Sequence, residues 1–316
     1  MPYIKVETDR IELERTADKR ARLAKRMADF LGVENDQVAE IPGLMLIRRT
    51  QVEPMSSYLC SPSMALVVQG RKRVVLGNTS LTYDESHFLL TAANLPTMAQ
   101  VLDATPETPF LCMLLMLDLA VARQMITQID LTAPDAATGV AGMSTGPATF
   151  ELFDAMARLL ALLDKPQDIP VLGELIQREV LYHVLTSPAG ARLRQIVCQG
   201  TSGNRIARAI DWLRGNFTQT LRVEELAQVS GMGVSTLHHH FRQMTSMSPL
   251  QFQKHLRLHE ARRLMLNDEL DAGTSALRVG YESVTQFNRE YRRLFGAPPL
   301  RDVKALRLGK TGNVKT

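Results

Sequence analysis

The sequence contains few cysteines. Of its 316 residues only Cys60, Cys112 and Cys198 are cysteine, and they are far apart with no C-x-x-C pair. A disulfide framework requires paired cysteines and a zinc site requires closely spaced ones, so the sequence argues against both. Free thiols are typical of a reducing compartment, and we therefore expect a cytoplasmic protein.

Long apolar runs are also missing. The most apolar segment, residues 109–120 (PFLCMLLMLDLA), is too short to cross a bilayer and is interrupted by Asp118. The first residues do not have the pattern of a signal peptide, so none is expected. These absences predict a protein that does not associate with a membrane.

The motifs of several common enzyme classes are absent as well. The sequence has no G-x-S-x-G nucleophile elbow, no glycine-rich phosphate loop and no H-E-x-x-H metal motif. We therefore expect neither an enzyme nor a bound cofactor.

Charge is distributed unevenly along the chain. Residues 203–316 hold 18 Lys and Arg against 10 Asp and Glu, a net charge of +8, whereas residues 1–202 hold 19 against 23, a net charge of −4. A basic C-terminal third fits the neutralisation of phosphates, which makes DNA binding strongly dependent on salt. A solvated, arginine-rich helical surface would have the same charge, so charge alone does not decide between the two.

Two related segments occupy this basic third: residues 230–249 (SGMGVSTLHHHFRQMTSMSP) and 279–299 (VGYESVTQFNREYRRLFGAPP). Leu237 and Phe241 hold the positions that Phe287 and Tyr291 hold fifty residues later, and a proline follows both Phe241 and Tyr291 after eight residues. In each, a glycine ends one short apolar helix and a second helix follows. The pattern predicts two helix-turn-helix units, whose second helices enter the DNA major groove.

The connection between the two units is predicted to be one long helix. Ser248 is a good N-cap and Pro249 a good first helical residue, and the helix extends to about Leu266. Roughly 18 residues at 1.5 Å rise give a rod of about 27 Å. Such a rod can hold two recognition helices about one DNA turn apart, on the order of 34 Å.

The N-terminal part has a different pattern. A charged helix is predicted over residues 10–31, and residues 41–119 contain six to eight short apolar runs at strand length, which indicate a small β-barrel or sandwich. Gly70 and the Gly77–Asn78 pair are predicted to form tight hairpin turns. Helices follow at 119–130, 148–164 and 171–187, with a loop at 131–147. The apolar stripes of the last two pack within the molecule or form an antiparallel dimer interface.

The C-terminal residues strongly resemble the AraC/XylS family of bacterial transcription regulators over residues 204–303. The family signature is matched by Gly280, Tyr281, Phe287, Arg289, Tyr291, Gly296 and Pro299. Residues 62–96 are similar to the cupin-like domain found in one branch of that family. The sequence departs from the family pattern at Gly233, where a serine cap is usual, at Ser246, where glycine is usual, and at Thr274–Leu277. These departures affect the expected helix boundaries.

The resemblance implies an α+β multidomain chain with a cupin-like β-barrel and flanking helices, followed by an all-α domain of two helix-turn-helix units. Its predicted parts are a helical arm at 1–38, an effector domain at 39–130, a helical dimerisation or linker region at 131–202, the DNA-binding domain at 203–305 and a tail at 306–316. The implied partners are double-stranded promoter DNA, a second copy of the chain, a small-molecule effector and RNA polymerase.

The DNA-contacting residues are expected on the exposed faces of the two second helices. They are Ser235, Thr236, His238, His239 and Arg242 in the first unit, and Val284, Thr285, Gln286, Asn288, Arg289 and Arg292 in the second. The resemblance assigns base contacts in the first unit to Ser235, His238 and His239. In the second, Gln286 or Asn288 suits adenine, Arg289 guanine or phosphate, and Val284 a thymine methyl. Some of these residues contact only phosphate in the alternative interpretation. Further phosphate candidates are Arg208, Arg257, Arg262, Arg293 and Lys304.

Metal binding is not expected at either candidate site. Three consecutive histidines, His238 to His240, point about 100° apart on a helix and cannot share one ion. Metal-type cupins need an H-x-H pair with a further Glu and His, and the barrel segment has only His87.

Candidate effector-binding residues are the polar ones that are able to line the barrel: Arg48, Tyr58, Cys60, Gln69, Lys72 and His87. Their direction is open, because a register error of one residue inverts every side chain of a strand. Each has a purely structural role as its alternative. Cys60 as a redox sensor is a further alternative, but no neighbouring residue marks a low thiol pKa.

Three functions are consistent with these features. The leading hypothesis is a cytoplasmic, dimeric, sequence-specific transcription activator controlled by a small molecule. The second is a DNA-binding regulator whose barrel serves only for dimerisation or polymerase contact. The third, an enzyme that uses the cupin domain, is disfavoured by the missing metal ligands.

Overall fold

The computed structural model describes residues 2–32, 36–131 and 142–311, and places the side chains of 11–32, 39–131 and 142–307. A long helix leads into a β-rich domain, a group of helices and a helical C-terminal domain. This order confirms the fold class expected from the sequence. Residues 132–141 of the loop predicted at 131–147 lie outside the described residues, and the prediction is wrong for residues 143–147, which form a strand.

Ten strands form two antiparallel sheets in the described part of the chain. They are β1 (Asp36–Val38), β2 (Leu44–Arg49), β3 (Ser56–Cys60), β4 (Ser63–Gln69), β5 (Lys72–Leu76), β6 (Thr79–Tyr83), β7 (His87–Thr91), β8 (Leu95–Val101), β9 (Phe110–Met116) and β10 (Met143–Pro147). The six-stranded sheet has the order β1-β2-β9-β4-β7-β10 and the four-stranded sheet the order β3-β8-β5-β6. We call these ten strands the β domain.

The outer strands extend the β domain beyond its predicted limits of residues 39 and 130. β1 lies in the predicted helical arm, and β10 lies in the predicted helical region, where it pairs antiparallel with β7. Neither strand has enough alternating apolar residues to be recognised alone, since β1 has three residues and β10 contains a glycine and a proline. Both are formed by pairing with a strand that the sequence does predict.

The two faces of each strand have different neighbours, because successive side chains of a strand point to opposite sides. In β2, Met45, Ile47 and Arg49 face the space between the sheets. Leu44 and Leu46 face the other way and are fully buried in the core on the outer side of the six-stranded sheet. That outer side is covered by the N-terminal helix, which packs on β2, β4 and β9.

The two predicted tight turns have different roles. Gly77 and Asn78 join β5 to β6 as a two-residue hairpin in which Leu76 pairs with Thr79, and Gly77 has a φ of 58°. Gly70 also has a positive φ, 88°, but the strands it joins belong to different sheets, so the predicted hairpin is wrong there. The turn at Gly70 carries the chain from one sheet to the other.

Five helices accompany the β domain: α1 (Pro2–Leu31), α2 (Leu119–Gln128), α3 (Phe150–Ala161), α4 (Glu174–Thr186) and α5 (Ala191–Val197). α3 packs on α1 and α4. The predicted apolar stripe of α3 is buried, and so are Ile176, Val180 and Val184 of α4. These stripes therefore pack within the molecule, while Leu172 and Leu175 remain exposed.

The C-terminal domain, residues 202–311, consists of α6 (Ser202–Asn216), α7 (Val223–Ser230), α8 (Val234–Thr245), α9 (Pro249–Asn267), α10 (Ala272–Arg278), α11 (Val284–Phe295) and α12 (Pro299–Thr311). α7 with α8 and α10 with α11 are the two predicted helix-turn-helix units, and α9 joins them. α6 begins one turn earlier than Asn204 suggests, because the Thr201 hydroxyl accepts a hydrogen bond from the Asn204 amide and is the N-cap.

Candidate DNA-binding surface and internal cavity

The second helix of the first unit, α8, is held by its apolar face. Leu237, Phe241 and Met244 are buried, and the Phe241 ring meets the ring of Phe252 on α9 edge to face at 5.5 Å between centroids. Gly233 is the N-cap and offers no side chain to the first turn, as its sequence suggests. The predicted DNA contacts on this helix, Ser235, Thr236, His238, His239 and Arg242, are all exposed.

The second helix of the second unit, α11, follows the same plan. Phe287 and Tyr291 are fully buried. The Ser283 hydroxyl caps the helix by accepting a hydrogen bond from the backbone N–H of Gln286. The predicted contacts Val284, Thr285, Gln286, Asn288, Arg289 and Arg292 are all exposed. Each unit therefore presents a polar helical face to solvent.

The two units are rigidly joined by α9. Ser248 and Gln251 form a capping box at its start, with Pro249 as the first helical residue. The helix has 19 residues and is therefore about 28 Å long. This length agrees with the predicted rod and fixes the spacing of the two recognition helices.

Two of the arginines predicted to contact phosphate, Arg257 and Arg262, form hydrogen bonds within the C-terminal domain instead. Arg262 forms two hydrogen bonds with the Asp302 carboxylate, at 2.8 and 2.9 Å, and its guanidinium stacks 4.4 Å from the Phe295 ring centroid. Asp302 also accepts a hydrogen bond from the Tyr291 hydroxyl at 2.7 Å. This cluster fixes α11 and α12 against α9.

Arg257 is the second of these arginines. Its guanidinium donates to the carbonyl oxygens of Phe217, Thr218, Gln219 and Gly280 at 2.6–3.2 Å. It thereby ties the end of α6 to the turn of the second unit. By contrast, Arg208, Arg293 and Lys304 are exposed, as a phosphate contact requires.

A buried carboxylate connects α11 to α9. Glu290 accepts hydrogen bonds from the Lys254 ammonium at 2.7 Å, the Tyr281 hydroxyl at 2.8 Å and the Gln286 side-chain amide at 3.2 Å. Burial alone would raise the pKa of Glu290, but these bonds outweigh it and hold the pKa below its usual value. Lys254 and Glu290 were not among the predicted site residues, although Glu290 follows Gln286 by one helical turn.

The space between the two sheets is a cavity of about 300 Å³. Most of its lining is apolar and comes from alternate residues of the strands, as in Val74, Ala99 and Leu114. Of the predicted effector-binding residues, Tyr58, Cys60 and Lys72 line it. The arrangement suits a small molecule with a largely apolar body.

The other three predicted effector-binding residues lie elsewhere. Arg48 is on the face of β2 that points away from the cavity. Its neighbour Arg49 lines the cavity instead. The Gln69 amide donates to the Pro109 carbonyl at 2.7 Å. His87 is exposed, with its Nδ1 3.7 Å from an oxygen of Asp84. None of the three lines the cavity.

The polar side chains that line the cavity include Arg49, Lys72 and Cys60. Arg49 forms an ion pair with Glu53 at 3.0 Å, and the Lys72 ammonium lies 6.0 Å from the centroid of the Tyr58 ring. The Cys60 thiol lies 3.2 Å from the Thr97 hydroxyl. Burial raises the pKa of this thiol, so Cys60 lacks the thiolate character of a reactive cysteine.

The β domain contacts the C-terminal domain directly. The Ser57 hydroxyl on β3 lies 3.0 Å from His259 Nε2 on α9. The Gly142 amide donates to the carbonyl oxygen of Met244 at 2.8 Å, near the end of α8. Ser246, in the turn after α8, lies against Gly77 of the β5–β6 hairpin. The first recognition helix and the connecting helix are therefore both held by the β domain.

Ser246 occupies the position where the family pattern has glycine. Its φ is 59°, in the left-handed region that side chains rarely adopt. The departure seen in the sequence thus corresponds to backbone strain at the contact with the β domain.

Within the described ranges, no group of three His, Cys, Asp or Glu residues is arranged to hold a metal ion. Nor does any helix that the structure describes have the length and apolar character needed to cross a membrane.

Two family models match the chain. The first describes the N-terminus of AraC-type transcriptional regulators and matches residues 40–192, and the second describes a helix-turn-helix domain and matches residues 226–304. Together they cover about three quarters of the chain.

Among curated proteins, the HTH-type transcriptional activator RhaS of Escherichia coli (strain SMS-3-5 / SECEC) is 26% identical over 155 residues, which are 48% of this chain and 54% of RhaS. The chain spans about half the length of the curated relatives it matches.

Solved structures of ToxT from Vibrio cholerae are similar over most of the chain. ToxT from strain O395 covers 85% of this chain and 97% of its own, with a TM-score of 0.57 and 11% identity. Unsaturated fatty acid bound wild-type ToxT from strain SCE256 covers 83% and 93%, with a TM-score of 0.55 and 12% identity. At such low identity these structures are evidence for the fold alone.

Proposed function

Because this chain belongs to the AraC/XylS family of transcription regulators, with a helix-turn-helix DNA-binding domain, we propose that it is a sequence-specific, cytoplasmic transcription activator controlled by a small molecule. In this proposal residues 39–130 sense the effector, 131–202 mediate dimerisation and 203–305 bind promoter DNA. Activation is supported by the curated RhaS relatives, which are activators. RNA polymerase is the partner that such a role requires.

One observation carries the DNA-binding part of the proposal: two exposed polar helix faces are held by a single rod in the basic part of the chain. The contacts that we propose are the exposed residues of α8 and α11 named above. His239 and Arg289, fifty residues apart, lie opposite the buried side of their helices and are the central base readers. The net charge of +8 over residues 203–316 supports attraction to the DNA backbone.

The test is selection of binding sites from random duplex DNA with the full-length protein, followed by affinity measurements on the selected site and its single-base variants. Arg289→Ala is expected to lose about 1–3 kcal/mol on the selected site and to relax preference at one base pair. Arg263→Ala is the matched control, because this exposed arginine is on the connecting helix α9 and pairs there with Glu260. Equal losses on every sequence would make Arg289 a phosphate contact.

For the effector, we propose a molecule with an apolar body and an anionic end, bound between the sheets. The lining is mainly apolar, and the Lys72 ammonium is the cation expected to meet the anionic end. A fatty carboxylate has this chemistry, and ToxT, similar in fold, has been solved with an unsaturated fatty acid bound. Tyr58, Cys60 and Arg49 complete the proposed polar contacts, in place of Arg48, Gln69 and His87.

Decanoate and decanol separate the role of the charge from that of the apolar chain. Decanoate is expected to raise the melting temperature of the wild type more than decanol does, and Lys72→Met is expected to remove this difference. Arg73→Met is the matched control, since Arg73 neighbours Lys72 on β5 but is exposed and does not line the cavity. If neither compound binds and the purified protein carries no added mass, a regulator without an effector becomes the better explanation.

Strand β3 supports a route from the cavity to the DNA-binding domain. Tyr58 and Cys60 of β3 line the cavity, while Ser57, between them and the start of the strand, contacts His259 on α9. A ligand that moves β3 therefore changes the contact with the helix that carries both units. Such a change couples two distinct sites, as allosteric control requires.

For dimerisation, we propose the exposed side of α4 and the turn before it. Val171, Leu175 and Tyr182 are 66%, 58% and 42% exposed and follow one another at helical spacing. Apolar side chains in such a row favour burial against a second copy of the chain. Native mass spectrometry of the full-length protein tests this: a dimer that Leu175→Glu converts to a monomer supports the proposal, and a monomeric wild type contradicts it.

A further inference from the structure

The side chain of Gln286 has a fixed orientation on the second recognition helix. Its amide nitrogen Nε2 lies 3.2 Å from Oε1 of Glu290, one helical turn later. The amide group of a glutamine has donors on one side and an acceptor on the other, and which side faces a base decides what it reads. The partner of Gln286 therefore bears directly on DNA specificity.

Glu290 is itself held in place and ionised. It is 7% exposed and accepts hydrogen bonds from the Lys254 ammonium on Oε1 and from the Tyr281 hydroxyl on Oε2. These bonds lower its pKa against the effect of burial. An ionised carboxylate only accepts hydrogen bonds, so the nitrogen of Gln286, and not its oxygen, must face Glu290.

This arrangement leaves Gln286 with one acceptor, Oε1, and one remaining N–H to offer to the major groove. Adenine matches that pair, because its N6 amino group donates and its N7 accepts. Guanine presents two acceptors, N7 and O6, which require two donors. A glutamine that is free to rotate its amide can turn its donors toward guanine, whereas one held by Glu290 has no second donor to give.

We propose that Glu290 is a positioning residue that makes Gln286 select adenine and reject guanine at one base pair. The proposal rests on the proposed function, since it requires α11 to lie in the major groove. Glu290 does not touch the base, and it acts by fixing the amide of the residue that does. Because Lys254 is on α9, the same network also fixes the angle of α11 on the connecting helix.

The experiment measures base preference at every position of the site that the full-length wild type selects from random duplex DNA. Gln286→Ala locates the relevant base pair as the one position where preference is relaxed. There the wild type is expected to prefer adenine over guanine by roughly 5- to 150-fold. Glu290→Met, which removes the acceptor for the Gln286 amide and keeps a side chain of similar length, is expected to lose most of that preference at the same base pair and to keep the others.

Glu282→Met is the matched control, because Glu282 is an exposed acid in the turn before α11 and has no hydrogen bond to Gln286 or Glu290 among the described residues. It is expected to leave adenine preference unchanged. A wild-type preference for a G·C pair, in either orientation, at the position that Gln286→Ala relaxes would overturn the inference, and this readout does not depend on the folding of Glu290→Met. A folded Glu290→Met protein with unchanged preference, or with equal losses on all sequences, would also overturn it.

Failure of the proposed function has a different signature. If the wild type selects no sequence from random DNA, specific DNA binding and this inference fall together. If it selects a site and Gln286→Ala relaxes no base pair, this inference alone is wrong.

Discussion

Acidification is expected to weaken the contact between the β domain and the DNA-binding domain at one histidine. His259 lies on α9 with its Nε2 3.0 Å from the Ser57 hydroxyl and its ring edge-on to Phe295 at 5.2 Å. Burial first, and then the neighbouring charges of His255 and Arg262, lower the pKa of His259 to about 3. In the unfolded chain the pKa of a histidine is about 6.5.

The sign of the effect follows from which state binds more protons. Between pH 6.5 and 3 the unfolded chain is protonated at His259 and the folded protein is not, so stability falls as pH falls through this window. At pH 5 the difference between pKa values of about 6.5 and about 3 is worth about 2 kcal/mol relative to pH 7. That is a large fraction of the stability of an ordinary domain, which is about 5–15 kcal/mol.

The assay is urea unfolding at pH 7 and at pH 5, for the wild type and for His259→Gln. Glutamine retains a group that can hydrogen-bond to Ser57 but does not titrate. The wild type is expected to lose about 2 kcal/mol more than the variant between the two pH values. His255, whose pKa is also lowered by burial and by Arg293, is present in both proteins and cancels in the comparison. Equal losses in the two proteins would refute the assignment of a buried, neutral His259.

The contact at the end of α8 gives two further predictions. Gly77→Ala would place a Cβ 2.3 Å from the Ser246 Cβ, so faster hydrogen exchange is expected in the β5–β6 hairpin and the turn after α8. Gly231→Ala is its control, because Gly231 also has a positive φ but has open space around it. If hydrogen exchange increased equally over the same segments in both variants, backbone strain alone, and not the contact with Ser246, would explain the effect. Ser246→Gly is expected to raise the unfolding free energy by about 1 kcal/mol, since it relieves a φ of 59°. A lower melting temperature would contradict that.

The DNA-binding half was predictable because its information is local. Which residues of a helix are buried follows from a period of 3.6, and Leu237, Phe241, Phe287 and Tyr291 set that period without reference to the rest of the chain. Every residue predicted on the exposed faces of α8 and α11 is exposed for this reason. Their contacts with DNA remain predictions.

The cavity was less predictable because the direction of a strand residue depends on its register. Arg48 and Arg49 are equally polar in sequence, and only the pairing of β2 with β9 decides which one faces the cavity. Gly70 illustrates the same limit. A glycine at this position indicates a turn. Which sheet the next strand, β5, belongs to is decided by the pairing of β5 with β6 and β8.

The roles of the arginines were not visible either, because their partners are distant in the sequence. Arg262 pairs with Asp302, and Arg257 binds carbonyl oxygens of Phe217 and Gly280. Each of these partners is more than twenty residues away. A positive charge on a helix predicts a phosphate contact only when no internal acceptor is in reach, and that condition is a property of the fold.

α9 is the element through which the β domain can act on both units together. It carries Lys254, whose bond to Glu290 orients α11, and five residues later His259, which contacts Ser57 of β3. Phe252, near its start, packs on Phe241 of α8. A 19-residue helix moves largely as one body, so a shift of β3 cannot change one unit without changing the other. Control of this regulator is therefore expected to act on affinity for the whole site, with the base preferences of each unit preserved.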